Sequence, residues 1–248
     1  MNTRFISGSF DTIKTNVRSV RVYKAQFNPA LITPDLFSAY DVALPPAVQN
    51  SVAKRQAEFL AGRICAKQAL LASGIARWTV AVGPHREPIW PNNMVGSISH
   101  SDHHVVAAVA PLRDVEGLGI DIETVMTSET CASIMPIVIS RTEGAYLDSI
   151  LSSFDKEVLL TLVFSAKESF FKAAFRQVRD FFDFDSLELC TLDLQRQCLL
   201  MHTTRSLSST IPAGMPVLVH FEMFDGAAVM TSVVLTSGQS EGCALKKY

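Results

Sequence analysis

Residues 118–125 read LGIDIETV. Strand-like apolar residues alternate there with two carboxylates, Asp121 and Glu123. In an extended chain, positions i and i+2 share a face. Asp121 and Glu123 therefore stand side by side, while Ile120 and Ile122 point the other way. Neighbouring carboxylates repel, and one shifts towards its neutral form unless a cation lies between them. An isolated Asp-x-Glu is more often the wet, acidic face of an edge strand. A third acid brought to the same place would turn the pair into a metal site.

That third acid is sought on the longest helical pattern of the chain, KEVLLTLVFSAKESFFKAAFRQV (156–178). Advancing about 100° per residue, Phe164, Phe171 and Phe175 fall together and mark the expected buried stripe. Glu168 falls just inside its edge and Lys172 one turn on. A solvated Glu–Lys pair at i,i+4 contributes only about 0.2–0.5 kcal/mol. The phenylalanine face must pack, however, and packing draws Glu168 towards the core. If the sheet beneath carries Asp121 and Glu123, three carboxylates converge. Oxygen ligands with room for phosphate and water suit Mg²⁺, with Mn²⁺ as an alternative. A lysine beside them neutralises charge on a phosphate.

The rest of the chain bounds what surrounds this site. Its 248 residues allow one large domain or two modest ones, and 48% apolar against 19% charged residues supply ample core. A net charge of −2 offers no basic field for nucleic acid. Five scattered cysteines, with no CxxC, suggest free thiols in a reducing compartment. The N-terminus lacks a signal-peptide core, and no apolar run reaches the ~18 residues of a membrane span. A cytoplasmic protein is the expectation.

Upstream, ALPPAV breaks any earlier helix, and VAKRQAEFLAGRICAKQALLAS (52–73) reads as a helix closed by SG. WTVAVG reads as a strand and PHREPIWPNN, with three prolines, as a loop. MVGSISHS and HHVVAAVA read as strands meeting at a polar turn. Downstream of 178 the chain is β-rich, in SLELCTLDL, PVLVHFEMF and AAVMTSVVLT. FLAGRICAKQAL (59–70) and FSAKESFFKAAF (164–175) echo each other weakly. Four shared positions do not establish a repeat, but two α+β halves, 1–115 and 116–236, with 237–248 as a loose tail, are the expected architecture. A cleft between halves is a common place for a ligand.

The first half offers phosphate ligands. Arg55 and Arg63 lie two helical turns apart, and guanidinium suits bidentate phosphate recognition. Arg86 sits in the proline-bounded loop. Ser99 and His100 end a strand. His100, His103 and His104 make a poor zinc set, since adjacent strand residues face opposite ways. There is no nucleophile elbow, P-loop or dinucleotide fingerprint. A phosphate-bearing substrate would be held by side chains and metal.

The blocks RQAEFLAGRICAKQAL, REPIWP, GSISHS, GIDIE and FSAKESFFKA, in this order and spacing, resemble the 4′-phosphopantetheinyl transferases of the surfactin-synthetase-activating type. The first two look most like the branch that activates enterobactin synthase. The resemblance runs from about residue 54 to 176. It implies two pseudosymmetric halves, each a small, mostly antiparallel sheet packed on a long helix, with the active site in the cleft between them. It implies transfer of phosphopantetheine from coenzyme A to a serine of an apo carrier protein, releasing adenosine 3′,5′-bisphosphate. Asp121, Glu123 and Glu168 would hold Mg²⁺ on the pyrophosphate. Glu168 would serve as base, directly or through water, and Lys172 would stabilise the phosphate in flight. Ser99 and His100 match nucleotide-phosphate ligands, and Arg55, Arg63 and Arg86 fit basic positions around the adenosine phosphate. Lys167 matches the motif and would touch phosphate or carrier. The segment 124–149, less familiar, would help shape the carrier surface, and the protein would work as a monomer. Two other classes use the same residues: a metal-dependent hydrolase of a nucleotide anhydride and a catalytically silent carrier-binding module. The intact set Asp121, Glu123, Glu168 and Lys172 argues against the silent module.

Overall fold

The structure is a computed structural model that describes residues 4–15, 17–151, 155–224 and 227–237. The chain divides into two compact units. One takes the chain up to Asp114 except for a short piece at Lys14; the other takes that piece and everything from Val115 onward.

In the first unit, β1 (Ile6–Asp11) and β2 (Arg21–Phe27) precede two short helices, α1 (Pro34–Ala39) and α2 (Pro46–Gln49), and the long α3 (Ala53–Ala72). A two-residue pair follows, β3 (Ala81–Val82) with β4 (Pro88–Ile89), then β5 (Met94–Ser101) and β6 (His104–Pro111). The four longer strands form an antiparallel sheet in the order β1-β2-β6-β5. α3 lays Leu60, Ala61, Ile64 and Ala69 against Val105, Ala107 and Val109 of β6. It stops where Gly74 turns left-handed (φ 82°) and the amides of Gly74 and Ile75 return to the carbonyls of Leu71 and Leu70.

The second unit opens with β7 (Gly117–Thr124), followed by α4 (Ser128–Val138), α5 (Arg141–Ile150) and α6 (Lys156–Val178). Strands β8 (Leu187–Asp193), β9 (Cys198–Thr203), β10 (Pro216–Phe224) and β11 (Ala228–Leu235) complete an antiparallel sheet ordered β7-β11-β10-β9-β8. Leu159, Leu162, Val163, Ala166 and Phe170 of α6 share one core with Leu199, Met201, Val217, Val219 and Val233 of the sheet. Each such side chain contributes about 1.5–3 kcal/mol when fully buried. Each unit is thus α+β, an antiparallel sheet with one long helix on it.

Small residues set the approach of α6 to β7. A Cβ on Gly119 would overlap the carbonyl oxygen of Ser169, and one on Gly117 the carbonyl oxygen of Ala173. This corrects the expected stripe. Phe164, Phe171 and Phe175 are only half-buried and do not face the sheet. Phe171 packs on Phe182 (ring centroids 5.0 Å) and Phe181 (5.8 Å), and Phe164 on Phe184 (5.6 Å). A phenylalanine has no room where helix and strand backbones touch, so Ser165, Ser169 and Ala173 take that line.

Other readings change as well. WTVAVG supplies only the two residues of β3, the proline loop supplies β4, and α1 and α2 form around prolines at their first turns. The segment 124–149 resolves into α4 and α5. Of the expected tail 237–248, all beyond 237 lies outside the described residues. Among the described residues no helix is long and apolar enough to cross a membrane.

Candidate functional site

On β7, Asp121 and Glu123 share the face turned to α6, opposite Thr231 and Val229 of β11 in register. Asp121 is buried and Glu123 half-buried. One Asp121 oxygen, Oδ1, accepts from Lys172 Nζ at 2.6 Å; the other, Oδ2, accepts from Ser165 Oγ at 2.8 Å. Lys172 Nζ also reaches the Ile120 carbonyl at 3.4 Å. Glu168, half-buried one turn before Lys172, belongs to the same electrostatic group. Burial pushes its carboxyl up from the ordinary 4.5, the Lys172 ammonium pulls it down, and the Asp121 carboxylate pushes it up again. The net effect is upward, with burial the largest cause.

Among the described residues no three acidic, histidine or cysteine side chains stand close enough to enclose a metal ion. The expected three-carboxylate cage is therefore not preassembled. Asp121 and Glu168 still fit a divalent cation chemically. Mg²⁺ is usually held by one or two carboxylates together with substrate phosphates, not by an all-protein cage. Glu123 is the third oxygen donor on that face.

Lys167 is not part of this group. It is buried, and its ammonium donates to the Val138 carbonyl at 2.7 Å and to Glu143 Oε2 at 2.8 Å. Glu143, fully buried, also accepts from the amides of Ser140 (2.8 Å) and Leu189 (2.8 Å). Buried and bonded to these groups, Lys167 is an internal tie joining α6, α4, α5 and β8 rather than the expected contact with phosphate or carrier.

The first unit gathers a separate cluster. Arg55 Nη1 lies 3.2 Å from His100 Nε2, and Glu58 Oε2 lies 3.5 Å from Arg55 and 3.9 Å from His100 Nδ1. A guanidinium only donates, so Nε2 accepts and the imidazole proton sits on Nδ1, facing Glu58. Ser99, the preceding residue of β5, is buried and points to the other face of that strand. Arg63 stacks on the Phe59 ring (4.5 Å), donates to the Ala81 carbonyl (3.3 Å), and keeps a buried Nε with no partner. Burial, and after it Arg55, push Arg63 down to about 10. An anion would relieve both effects. Arg63 lines a cavity of about 310 Å³ with Leu44, Phe59, Lys67, Trp78 and Val80. Arg86 is exposed between β3 and β4 with left-handed backbone (φ 67°).

Sequence reading missed Glu58, Lys67, Glu143 and Ser165. Glu58 was signalled by its i+3 spacing from Arg55, and Glu143 by Ser140-x-x-Glu143, which forms a complete capping box.

Residues 44–110 match the family described as 4′-phosphopantetheinyl transferase N-terminal domain, and residues 117–211 the 4′-phosphopantetheinyl transferase superfamily. Enterobactin synthase component D of Salmonella typhimurium is 42% identical over 120 residues, 48% of this chain and 48% of that protein. Its namesake in Escherichia coli K12 is 38% identical over 127 residues, 51% and 58% of the two chains. The 4′-phosphopantetheinyl transferase Svp of Streptomyces mobaraensis is 34% identical over 142 residues, 57% of each. The matched region spans about half the length of these curated relatives. With two matching regions in succession across more than half of its length, the chain belongs to the 4′-phosphopantetheinyl transferase superfamily.

Proposed function

We propose that the protein transfers the 4′-phosphopantetheine of coenzyme A to a serine hydroxyl of an apo carrier protein, releasing adenosine 3′,5′-bisphosphate. The observation that carries this reading is the group Asp121–Lys172–Glu168, carboxylates and an ammonium brought together on a seam where helix and strand backbones touch. Such a group takes a cation and a phosphate together. Asp121 and Glu168, with Glu123 as a further donor, would hold Mg²⁺. When bound, the ion offsets pyrophosphate charge and eases departure of the leaving group. Lys172 stays within reach of the phosphate it neutralises. The carrier serine oxygen forms a bond to the phosphorus on the pantetheine side while the bond to the adenosine bisphosphate breaks. Serine is a poor nucleophile at neutral pH, and its proton passes to Glu168, directly or through water.

The first unit supplies nucleotide contacts. Arg55 and His100 take the 3′-phosphate, Arg63 lies beside the cavity that takes the nucleoside, and Arg86 is a further basic contact; Ser99, on the other face of β5, does not share the phosphate held by His100. Arg63→Ala raises the KM for coenzyme A with kcat kept, the pattern of lost uniform binding. Free thiols at Cys65, Cys131, Cys190 and Cys198 suit a reducing cytoplasm.

The test is to incubate the protein with coenzyme A, Mg²⁺ and an apo carrier domain and weigh the carrier. Because relatives bear that name, a carrier domain of enterobactin synthase is the first acceptor to try. A gain of one phosphopantetheine supports transfer. Breakdown of coenzyme A without carrier selects the hydrolase, and a stable complex without chemistry selects the silent module.

A further inference from the structure

Beside Asp121 runs a line of hydroxyls. Thr161, Ser165 and Ser169 recur every four residues along α6 and are all fully buried, as is Thr231 on β11. Hydroxyls within helices commonly turn back to the carbonyl four residues earlier. Thr161 does so, donating to the Glu157 carbonyl at 2.6 Å. Ser165 and Ser169 reach across to the sheet instead.

Proton bookkeeping fixes the end of this line at Asp121. An ionised carboxylate only accepts, so the single Ser165 proton goes to Asp121 Oδ2 at 2.8 Å. Thr231 Oγ1 lies 2.9 Å from Ser165 Oγ, 2.8 Å from the Ser165 carbonyl and 2.6 Å from Ser169 Oγ, so it is packed between the two serine hydroxyls. Ser169 Oγ lies 2.6 Å from Thr231 Oγ1 and 3.1 Å from the Thr231 carbonyl, so its proton serves Thr231. The contacts connect Ser169, Thr231, Ser165 and Asp121 in that order, and the last of them commits the Ser165 proton to the carboxylate. With Oδ2 held in this way, Oδ1 is aimed at Lys172, 2.6 Å away.

We propose that Ser165 and Thr231 are positioning residues that orient the Asp121 carboxylate for its cation and phosphate; this rests on the reading of Asp121 given above. Partners of metal-binding carboxylates fix ligand orientation, and losing one costs about 10- to 100-fold in metal affinity or activity. The variants are clean. Ser165→Ala leaves Thr231 its bond to the Ser165 carbonyl, and Thr231→Val is near-isosteric and leaves Ser169 the Thr231 carbonyl. Thr231→Ser keeps the hydroxyl.

The experiment measures Mn²⁺ affinity of the free full-length protein by electron paramagnetic resonance and, in the carrier assay, the Mg²⁺ concentration for half-maximal rate. Ser165→Ala weakens Mn²⁺ binding about 10- to 100-fold and raises the Mg²⁺ requirement, with circular dichroism unchanged. Thr231→Val shifts both the same way by less, and Thr231→Ser stays near wild type. Wild-type Mn²⁺ affinity and Mg²⁺ dependence in folded Ser165→Ala overturn the proposal alone. Thr231→Ser falling as far as Thr231→Val also overturns it, since packing rather than the hydroxyl would then matter. A wild-type protein that neither binds Mn²⁺ nor modifies a carrier overturns the underlying reading as well.

Discussion

Lys167 and Glu168 are neighbours in the chain and meet opposite fates. Lys167 is sealed against Glu143, and that carboxylate is completed by two backbone amides. Removing two charges from water is costly, and only such complete pairing makes the burial tolerable. Glu168, on another side of α6, shares one ammonium with Asp121 and keeps a raised proton affinity. The first pair is closed by the protein itself. The second group keeps a half-buried carboxyl, Glu168, held above its ordinary value beside the Asp121–Lys172 pair. The same motif thus supplies a structural tie at Lys167 and, at the next residue, the carboxyl that the proposed transfer uses, and their partners tell the two apart.

The difference can be broken in several ways. The largest effect is expected at the open group: Glu168→Gln lowers kcat about 10²- to 10⁴-fold in the carrier assay, the range for losing a general base. At the closed pair, Lys167→Met leaves Glu143 buried without its countercharge and costs about 3–5 kcal/mol in urea unfolding. The fraction that remains folded still binds Mn²⁺. A stable Lys167→Met protein that has lost metal binding would erase the distinction. Gly119→Ala tests the seam that creates the open group. Its methyl meets the Ser169 carbonyl oxygen, and the shift of α6 costs about 1–3 kcal/mol, read in the same titration.

The smallest effect is a pH dependence in metal-free protein. The folded-state affinity of Glu168 for its proton exceeds the ordinary 4.5. Between 4.5 and the raised value the folded state holds more protons than the unfolded chain, so stability falls as pH rises through that window and then levels. Glu168→Gln removes this loss and is the more stable protein at pH 8, with the gap closing towards pH 4. Unfolding free energies across that range check the sign.

Much of this was legible in the residues. The parity of LGIDIETV places both acids on one face, and the breaker before Val52 and the SG after it bound α3 to within a residue. The helix 156–178 was legible, but its orientation was not. Aromatic residues usually mark a buried stripe, and here the two glycines of β7 draw the α6 backbone so close that only serine and alanine fit between. Glu168 and Lys172 still sit beside Asp121, because they flank the small-residue line as well as the aromatic one. The role of Lys167 depends on Glu143, 24 residues earlier in a segment with no familiar pattern, so no local reading finds it. The hydroxyls at 161, 165 and 169 have a visible four-residue period, but their meaning depends on Thr231, 62 residues beyond Ser169.

The most direct test of the account titrates Mn²⁺ into wild type, Asp121→Asn and Lys167→Met, each with and without coenzyme A. The account predicts that wild type and folded Lys167→Met bind a single ion, more tightly with coenzyme A present, and that Asp121→Asn loses it. Wild-type affinity in Asp121→Asn would contradict the account.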